Sequence, residues 1–253
     1  MMRYHRLTTQ EMREADREHV VVLLPLGALE QHGNQAPLGT DWMIANALLD
    51  YIEKELAQRA PDYPLLVMPA MPIGLSTEHK NFCGTVTFRT ETYYHVLYDM
   101  CESLARHGFQ NVVLLVCHGG NTAMAQVVSR QIRSEYGTNL YVWNAGAFDD
   151  PEVQATISPD NTFDFHGGEM ETSMAMAIDA SSVKLERAQA GHAANHALQD
   201  GIGWIAEDWV TEDGTPIGIG GDPKGATKEK GEIILKASAR AVVDRLIQIQ
   251  EHQ

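Results

Sequence analysis

The sequence predicts an α/β protein with a mostly parallel central sheet. Short, uninterrupted apolar runs recur along the 253 residues, as expected of strands that are buried on both faces of a sheet. Longer stretches of helical periodicity separate these runs, and they are long enough for the right-handed crossovers that join parallel strands. The chain has no internal repeat and no linker-like tract, so we expect one domain that spans residues 1–253.

The candidate elements follow one another in a regular order. The predicted strands are the apolar runs at 20–26, 65–70, 111–116 and 140–143. The predicted helices lie between or after them, at 41–58, 91–107, 121–136, 169–177 and 231–250. Turn-forming residues fill 144–167, which we interpret as a long loop, and glycines are frequent at 211–231. Long loops inside compact domains are often functional, so these segments are candidates for covering a site.

The composition argues against some classes of function. With 19 Lys and Arg against 34 Asp and Glu, the formal net charge is −15. This balance argues against nucleic acid as a partner, because phosphate backbones attract an excess of Lys and Arg. The longest apolar run, 20–29, is about half of the roughly 20 residues that a membrane-spanning helix needs, so we expect no membrane segment. A charged N-terminal stretch and three scattered cysteines favour a cytoplasmic protein.

Glu30, His32 and Asp41 form the first cluster of residues that could support chemistry. Glu30 and His32 follow the first predicted strand, so an extended backbone would point both side chains the same way. The next loop can bring Asp41 back to the same sheet edge, where ligands bind in parallel α/β folds. One imidazole with two carboxylates suits a divalent metal. The alternative is a polar loop whose acids face solvent or cap a helix, and this cluster alone leaves both interpretations open.

His118, Gly119, Gly120 and Asn121 form the second cluster, between the third predicted strand and a helix. His118 could bind a metal or transfer protons. The two glycines would let the backbone approach a ligand, and N–H groups at a helix N-terminus favour an anion or a developing oxyanion. A nucleotide-binding loop is a weaker alternative, because the segment lacks the Walker lysine and the GxGxxG spacing.

His166, Glu169 and Glu171 form the third cluster, where the long loop meets a predicted helix. Acidic residues at this place could simply complement the helix dipole. The functional interpretation makes Glu169 a metal ligand, while His166 transfers protons and Glu171 orients its ring. Three clusters at three strand-to-helix junctions can converge on one pocket, which favours the functional interpretation.

Other histidines and two tryptophans give weaker indications. His79 stands in a loop after the second predicted strand and could reach a substrate. His192 and His196 are four residues apart, and we expect a solvated helix there. Trp204 and Trp209 are expected to pack in a core or an interface.

Together these segments resemble the signature blocks of the creatininase (creatinine amidohydrolase) family. The similar blocks are Glu30-Gln-His-Gly33, Pro37-Leu-Gly-Thr-Asp41, His118-Gly-Gly-Asn121, His166-Gly-Gly-Glu-Met-Glu-Thr-Ser173 and the glycine-rich stretch 221–231. They run in the family's order over nearly the whole chain.

The resemblance implies a three-layer α/β/α sandwich with one or two divalent ions at the carboxyl ends of the strands. The ligands that it implies are Glu30, His32, Asp41 and His118, with Asp41 able to bridge two ions. Creatininase has a further ligand glutamate where this chain has Gly120, and in the branch with His-Gly-Gly-Asn we expect Glu169 to replace it. The resemblance also implies that His166 is the acid/base residue and that Glu171 supports it.

Two differences from the family bear on the substrate. Asn34-Gln35 stands where many members have Pro-His, and Phe163 and Phe165 precede His166, whereas creatininase has indole rings near its substrate. Both differences weaken the assignment of creatinine itself. The residues that we expect to contact substrate are His79, Gly119, Gly120, Asn121 and Phe165.

The resemblance implies a hydrolase that uses a metal-activated water on a small cyclic amide, a formamide or a related cyclic carbonyl compound. One alternative is cleavage of a carbon–carbon bond in an oxidised cyclic polyol of the dehydro-inosose type. Another, from a different class, is a non-catalytic module that binds a metal or a metabolite. Zn²⁺, Mn²⁺ and Fe²⁺ all suit the ligand set. The family's tendency to form hexamers implies a homo-oligomer.

Overall fold

The central sheet of the protein is entirely parallel. In a computed structural model that describes residues 1–161, 163–195 and 203–251, the sheet has five strands. They are β1 (Met2–Arg3), β2 (Val21–Leu26), β3 (Leu65–Val67), β4 (Asn111–Val116) and β5 (Asn139–Asn144), which lie side by side in the order β1-β3-β2-β4-β5. β2 and β4 pair along their whole length, with Val21 opposite Asn111 and Leu26 opposite Val116, so their carboxyl ends meet at one edge.

Seven helices of the described chain accompany the sheet. They are α1 (Thr9–Glu14), α2 (Thr40–Arg59), α3 (Thr90–Arg106), α4 (Thr122–Tyr136), α5 (Pro151–Gln154), α6 (Glu169–Asp179) and α7 (Lys228–Glu251). A second, antiparallel pair of strands is formed by β6 (His192–Ala193) and β7 (Trp209–Val210). Among the described residues, no helix combines the length and the apolar character needed to span a membrane.

Helices cover both faces of the sheet, because the side chains of β2 and β4 alternate between two hydrophobic clusters. Leu23 and Leu115 point into a cluster with residues of α2 and α7. Leu24 and Leu114 point into a second cluster with residues of α3 and α4. This arrangement explains the uninterrupted apolar runs, and it confirms the three-layer α/β/α sandwich.

The structure corrects some sequence-based boundaries. The strand expected at 65–70 ends at Val67, and a short helix, α5, interrupts the loop expected at 144–167. His192 lies in a strand rather than in a helix, and His196 is outside the described residues. The two-residue strands β1, β6 and β7 were not predicted, because so short a segment has no detectable periodicity.

Candidate metal centre

Polar side chains converge where β2 and β4 end. Glu30 and His32 lie on the irregular segment after β2, Asp41 lies in the first turn of α2, and His118 follows β4. All four are buried, with exposed fractions of 0% for Glu30 and His32, 1% for Asp41 and 6% for His118. The structure therefore brings together the four residues that the family resemblance implies as ligands.

Asp41 stands between the two histidines. Its Oδ1 lies 3.3 Å from His32 Nε2, and its Oδ2 lies 3.4 Å from His118 Nδ1. His118 Nδ1 is also 3.2 Å from Glu30 Oε1. A carboxylate that presents one oxygen to each side can bridge two metal ions.

The hydrogen bonds of the cluster indicate that these residues fit a divalent cation. Within the described chain, both carboxylate oxygens of Glu30, Nε2 of His32 and Oδ2 of Asp41 are buried without a hydrogen bond. Such burial is costly unless the atoms find a partner, and a cation would be one. The other ring nitrogens lie near carbonyls, with His32 Nδ1 3.2 Å from Glu30 O and His118 Nε2 2.9 Å from Leu75 O. Support of this kind is typical of metal-binding histidines.

Within the part of the chain that the structure describes, three overlapping groups of side chains could hold an ion. In each group, every residue offers one ligand atom, and these atoms lie within 4.8 Å of one another. The first group is Glu30, His32 and His166, the second is Glu30, Glu78 and His118, and the third is His32, Asp41 and Glu171. Glu30 and His32 each belong to two of the groups, so the groups are alternatives or neighbours within one cluster.

Glu169 is not part of this cluster, contrary to the expectation that it supplies a ligand. Its buried carboxylate accepts hydrogen bonds from Ser158 Oγ at 2.8 Å and from Asn161 Nδ2 at 3.0 Å, and it pairs with Lys230. Glu171 lies in the cluster instead, with Oε2 3.6 Å from His32 Nε2 and 4.0 Å from His166 Nδ1. In the structure Glu171, rather than Glu169, therefore lies beside His32 and His166.

The acidic and imidazole side chains of the cluster shift one another's pKa values strongly. Burial opposes ionisation of Glu30, but His118 and the other nearby imidazoles more than offset it and hold the pKa of Glu30 well below its usual value. Burial also opposes protonation of His32, yet Asp41 raises the pKa of His32 to about 10. Glu30 raises the pKa of His118 to about 10 against the same opposing burial. Protons on two imidazoles thus supply positive charge that a divalent cation could supply instead.

His166 presents a free ring nitrogen to the cluster. Its Nε2 lies 2.8 Å from the carbonyl oxygen of Gln31, which can only accept, so Nε2 carries the hydrogen. Burial and the neighbouring His32 lower the pKa of His166, so the ring is neutral at pH 7. Nδ1, 3.7 Å from Glu30 Oε1, is therefore able to accept a proton.

His79 packs against Glu30 of the cluster, and only 1% of its surface is exposed. The amide Nε2 of Gln31 donates to His79 Nδ1 at 2.9 Å, so the opposite nitrogen carries the hydrogen and lies 3.5 Å from Glu30 Oε1. Burial lowers the pKa of His79 to about 2, which keeps the ring neutral. The structure thus places the buried ring of His79 against Glu30.

Glu78 is a member of the cluster that the sequence analysis missed. Its Oε1 lies 3.7 Å from His118 Nε2, and burial raises its pKa. The only available signal was its position next to His79. A Cβ on Gly120 would meet Glu78 Oε1 at 2.5 Å and the backbone oxygen of Leu75 at 2.3 Å. This chain therefore has no room for a glutamate at 120, where creatininase has one.

The glycine segment after His118 has a more structural role than expected. Asn121 is fully buried, and its side chain joins Leu75 N at 2.9 Å to Gly27 O at 3.1 Å. The backbone N–H of Asn121 donates to His118 O, so it is not free to bind an oxyanion. Asn121 therefore ties two loops together. Gly119 has open space around its Cα and lines a cavity.

Two neighbouring cavities could receive a substrate. One of about 330 Å³ is lined by His118, Gly119, Glu171 and Phe165, among others. The other, of about 660 Å³, has four large aromatic residues among those that line it: Phe163, Phe165, Trp204 and Trp209. None of the cluster residues lines the larger cavity, whereas His118 and Glu171 line the smaller one. Phe165 lines both cavities.

Comparisons with known proteins show which family the chain is similar to. The family model described as creatinine amidohydrolase matches residues 5–246. A mycofactocin precursor peptide peptidase of Mycobacterium ulcerans (strain Agy99) is 31% identical over 229 residues, which cover 89% of this chain and 84% of that protein. A creatinine amidohydrolase of Pseudomonas putida is 28% identical over 242 residues, which cover 89% of this chain and 88% of that protein.

Solved structures resemble the whole chain. A creatininase structure with Mn has a TM-score of 0.77 at 25% identity, with 98% of each chain covered. A mutant creatininase of the Zn-Zn type has a TM-score of 0.76 at 25% identity, with 97% of each chain covered. Because the family model and these structures span almost every residue, the chain belongs to the creatininase family.

Proposed function

We propose that this protein is a metal-dependent hydrolase that cleaves the C–N bond of a small cyclic amide, a formamide or a related cyclic carbonyl compound. The observation that carries the proposal is the set of buried oxygen and nitrogen atoms of Glu30, His32 and Asp41 that lack hydrogen bonds. They lie beside His118 and Glu171, which line a cavity of about 330 Å³. This volume is at the lower end of the ~300–1,000 Å³ range of small-molecule sites.

We assign Glu30, His32, Asp41 and His118 as metal ligands and Glu171 as the fifth. When bound, a divalent ion lowers the pKa of a water molecule and polarises a carbonyl group. Zn²⁺ and Mn²⁺ are supported by the similar creatininase structures, and Fe²⁺ suits the same ligand set.

His166 is the proposed acid/base residue. Its neutral ring has Nε2–H fixed on Gln31 O, so Nδ1 can accept a proton from the attacking water. The protonated ring can then deliver that proton to the leaving nitrogen, and the carboxylate of Glu171, 4.0 Å away, stabilises the positive charge in between.

The test is a substrate screen of protein loaded separately with Zn²⁺, Mn²⁺ and Fe²⁺. The panel contains creatinine, a formamido-pyrimidine and an oxidised cyclitol. We expect turnover of at least one C–N substrate, and its loss in Asp41→Asn. Turnover of the cyclitol alone would favour carbon–carbon cleavage, and binding without any turnover would favour a non-catalytic module; both results contradict the proposal.

A peptide substrate is the second candidate function. It is favoured by the cavity of about 660 Å³ next to the site, which is larger than a cyclic amide needs, and by the similarity to a peptide peptidase. Addition of short peptides with aromatic C-terminal residues to the same panel, with the released fragments detected by mass spectrometry, would test this candidate.

We also propose a cytoplasmic homo-oligomer. All three cysteines carry free thiols, as in a reducing compartment. Leu38, Trp42 and Val86 are large apolar side chains with exposed fractions of 42%, 40% and 48%, which contact between subunits would cover. Light scattering should give the mass of a hexamer, and the 28.0 kDa of a monomer would contradict the assembly.

A further inference from the structure

We infer that Glu169 and Lys230 form a positioning pair that holds a segment, residues 158–161 and 163–165, in place as part of the wall of both cavities. The inference rests on the proposed function, because it assigns the two cavities to the substrate. It gives a role to a glutamate that lies outside the metal cluster.

The carboxylate of Glu169 is held on every side by this segment and by α7. Ser158 donates to it through its backbone N at 3.1 Å and through Oγ at 2.8 Å, and Asn161 Nδ2 donates at 3.0 Å. Lys230 Nζ completes the set as an ion pair. The side chain of Glu169 is fully buried, so these contacts replace its hydration.

Lys230 extends the same network to two further segments. Its Nζ donates to Gly225 O at 2.9 Å and to Ser158 Oγ at 3.3 Å, and only 19% of its side chain is exposed. The pair therefore joins the first turn of α6, the first turn of α7 and the 223–225 turn to the segment.

Residues of the segment that bond to Glu169, or that lie close to such residues in sequence, also line the cavities. Asn161, which donates to Glu169, also lines the larger cavity. Asp164 is a third anchor, because its Oδ2 accepts from Asn161 Nδ2 at 3.1 Å and from Met170 N at 3.0 Å. Between and after these anchors, Phe163 stacks on Trp209 with centroids 5.3 Å apart, and Phe165 lines both cavities.

His166 is held by other contacts. Its backbone pairs with Gly220 in both directions, at 3.3 Å and 3.0 Å, and its ring is bonded to Gln31 O. The same carbonyl of Gly220 also accepts from Phe165 N at 2.7 Å. Loss of the Glu169–Lys230 pair should therefore move Asn161 and Phe163, the part of the wall that precedes Phe165, more than the acid/base residue. This difference predicts a large effect on KM and a small effect on kcat.

The test compares four variants with the wild type. The double variant Glu169→Gln/Lys230→Met removes both charges at similar volume and leaves no unpaired buried charge. Ser158→Ala removes one anchor and keeps the pair, and Lys230→Arg keeps the charge. The matched control is Lys228→Met on the same helix, because Lys228 forms an exposed pair with Glu232 at 3.9 Å. Readouts are KM, kcat, bound metal and acrylamide quenching of tryptophan fluorescence.

We expect the double variant to raise KM about tenfold, to change kcat less than about threefold, and to increase quenching, because displacement of a cavity wall weakens substrate positioning. Ser158→Ala should shift KM and quenching in the same direction by less, while Lys230→Arg and the control should resemble the wild type. Unchanged KM and quenching in the double variant would overturn the inference, and so would loss of metal. If the wild type itself turns nothing over, the proposed function fails, and quenching still decides about the pair.

Discussion

At the scale of single residues, the sequence predicts which types of side chain build the site but not every position. Glu30, His32, Asp41 and His118 each follow a strand or start a helix at the same sheet edge, so their convergence could be expected. Glu169 and Glu171 both lie in the first turn of α6. At ~100° per residue they face nearly opposite sides of the helix, and only packing against α7 decides which one faces the metal cluster.

Replacement of the two glutamates should separate their roles. Glu171→Gln should reduce bound metal, because the amide replaces a charged oxygen within 3.6 Å of His32 Nε2. Glu169→Gln should keep the wild-type metal content, since this side chain lies among Ser158, Asn161 and Lys230. Elemental analysis of both purified variants provides the measurement. The opposite result would restore Glu169 as the ligand.

His166→Gln should lower turnover by about 10²–10⁴-fold, the usual range for loss of an acid/base residue. Bound metal should stay at the wild-type level, because the assigned ligands remain. Steady-state kinetics and elemental analysis of the same preparation test both parts. Loss of metal together with activity would instead indicate that His166 is a metal ligand. The structure also allows that role, because ligand atoms of Glu30, His32 and His166 lie within 4.8 Å of one another.

At the scale of elements, the pattern of apolar residues predicts the structure best where burial is complete. Every residue of β2 and β4 is buried, and both were recognised to within one residue from uninterrupted apolar runs. β1, β6 and β7 have two residues each, so their pairing depends on distant partners rather than on local pattern. The helix α7 begins at Lys228, three residues before the predicted start, and that first turn carries Lys230.

Gly231 determines how closely α6 and α7 pack. A Cβ at this position would lie 1.9 Å from the backbone oxygen of Ser173. Alanine is favoured over glycine inside a helix by about 1 kcal/mol, but a backbone clash of this size outweighs that gain. We expect Gly231→Ala to lower the free energy of unfolding by about 2 kcal/mol in urea titrations. Gly203→Ala is the control, because nothing lies within 4 Å of a Cβ added at that position. An equal loss of unfolding free energy in the control would refute the packing argument.

Asp164, whose side chain accepts a hydrogen bond from Met170 N in the first turn of α6, should make stability depend on pH. Burial raises its pKa to about 7 in the folded protein, whereas the usual value is 3.8. The folded state therefore binds this proton more tightly than the unfolded state does. The resulting stabilisation of the folded protein is complete below pH 3.8 and is lost as the pH rises through about 7. Between pH 4 and 7, the wild type should lose on the order of 2 kcal/mol relative to Asp164→Asn. Parallel pH profiles of the two proteins would contradict this account.

At the scale of the whole molecule, residues that are far apart in sequence meet because parallel strands end at one edge. Glu30, His118 and Glu171 come from three different segments, yet their side chains share one buried cluster in a chain of net charge −15. Family membership could be recognised from the sequence blocks alone. Substrate identity could not, because the cavity walls combine Phe165 with Trp204 and Trp209 from distant segments. The one-domain organisation stays a prediction.

The metal content of the purified protein, measured by elemental analysis alongside Asp41→Asn and His118→Ala, tests the central claim most directly. The account predicts one or two divalent ions per chain in the wild type and their loss in both variants, together with any hydrolytic activity. A wild type that binds no divalent ion from Zn²⁺, Mn²⁺ or Fe²⁺ solutions, or variants that bind as much as the wild type, would contradict it.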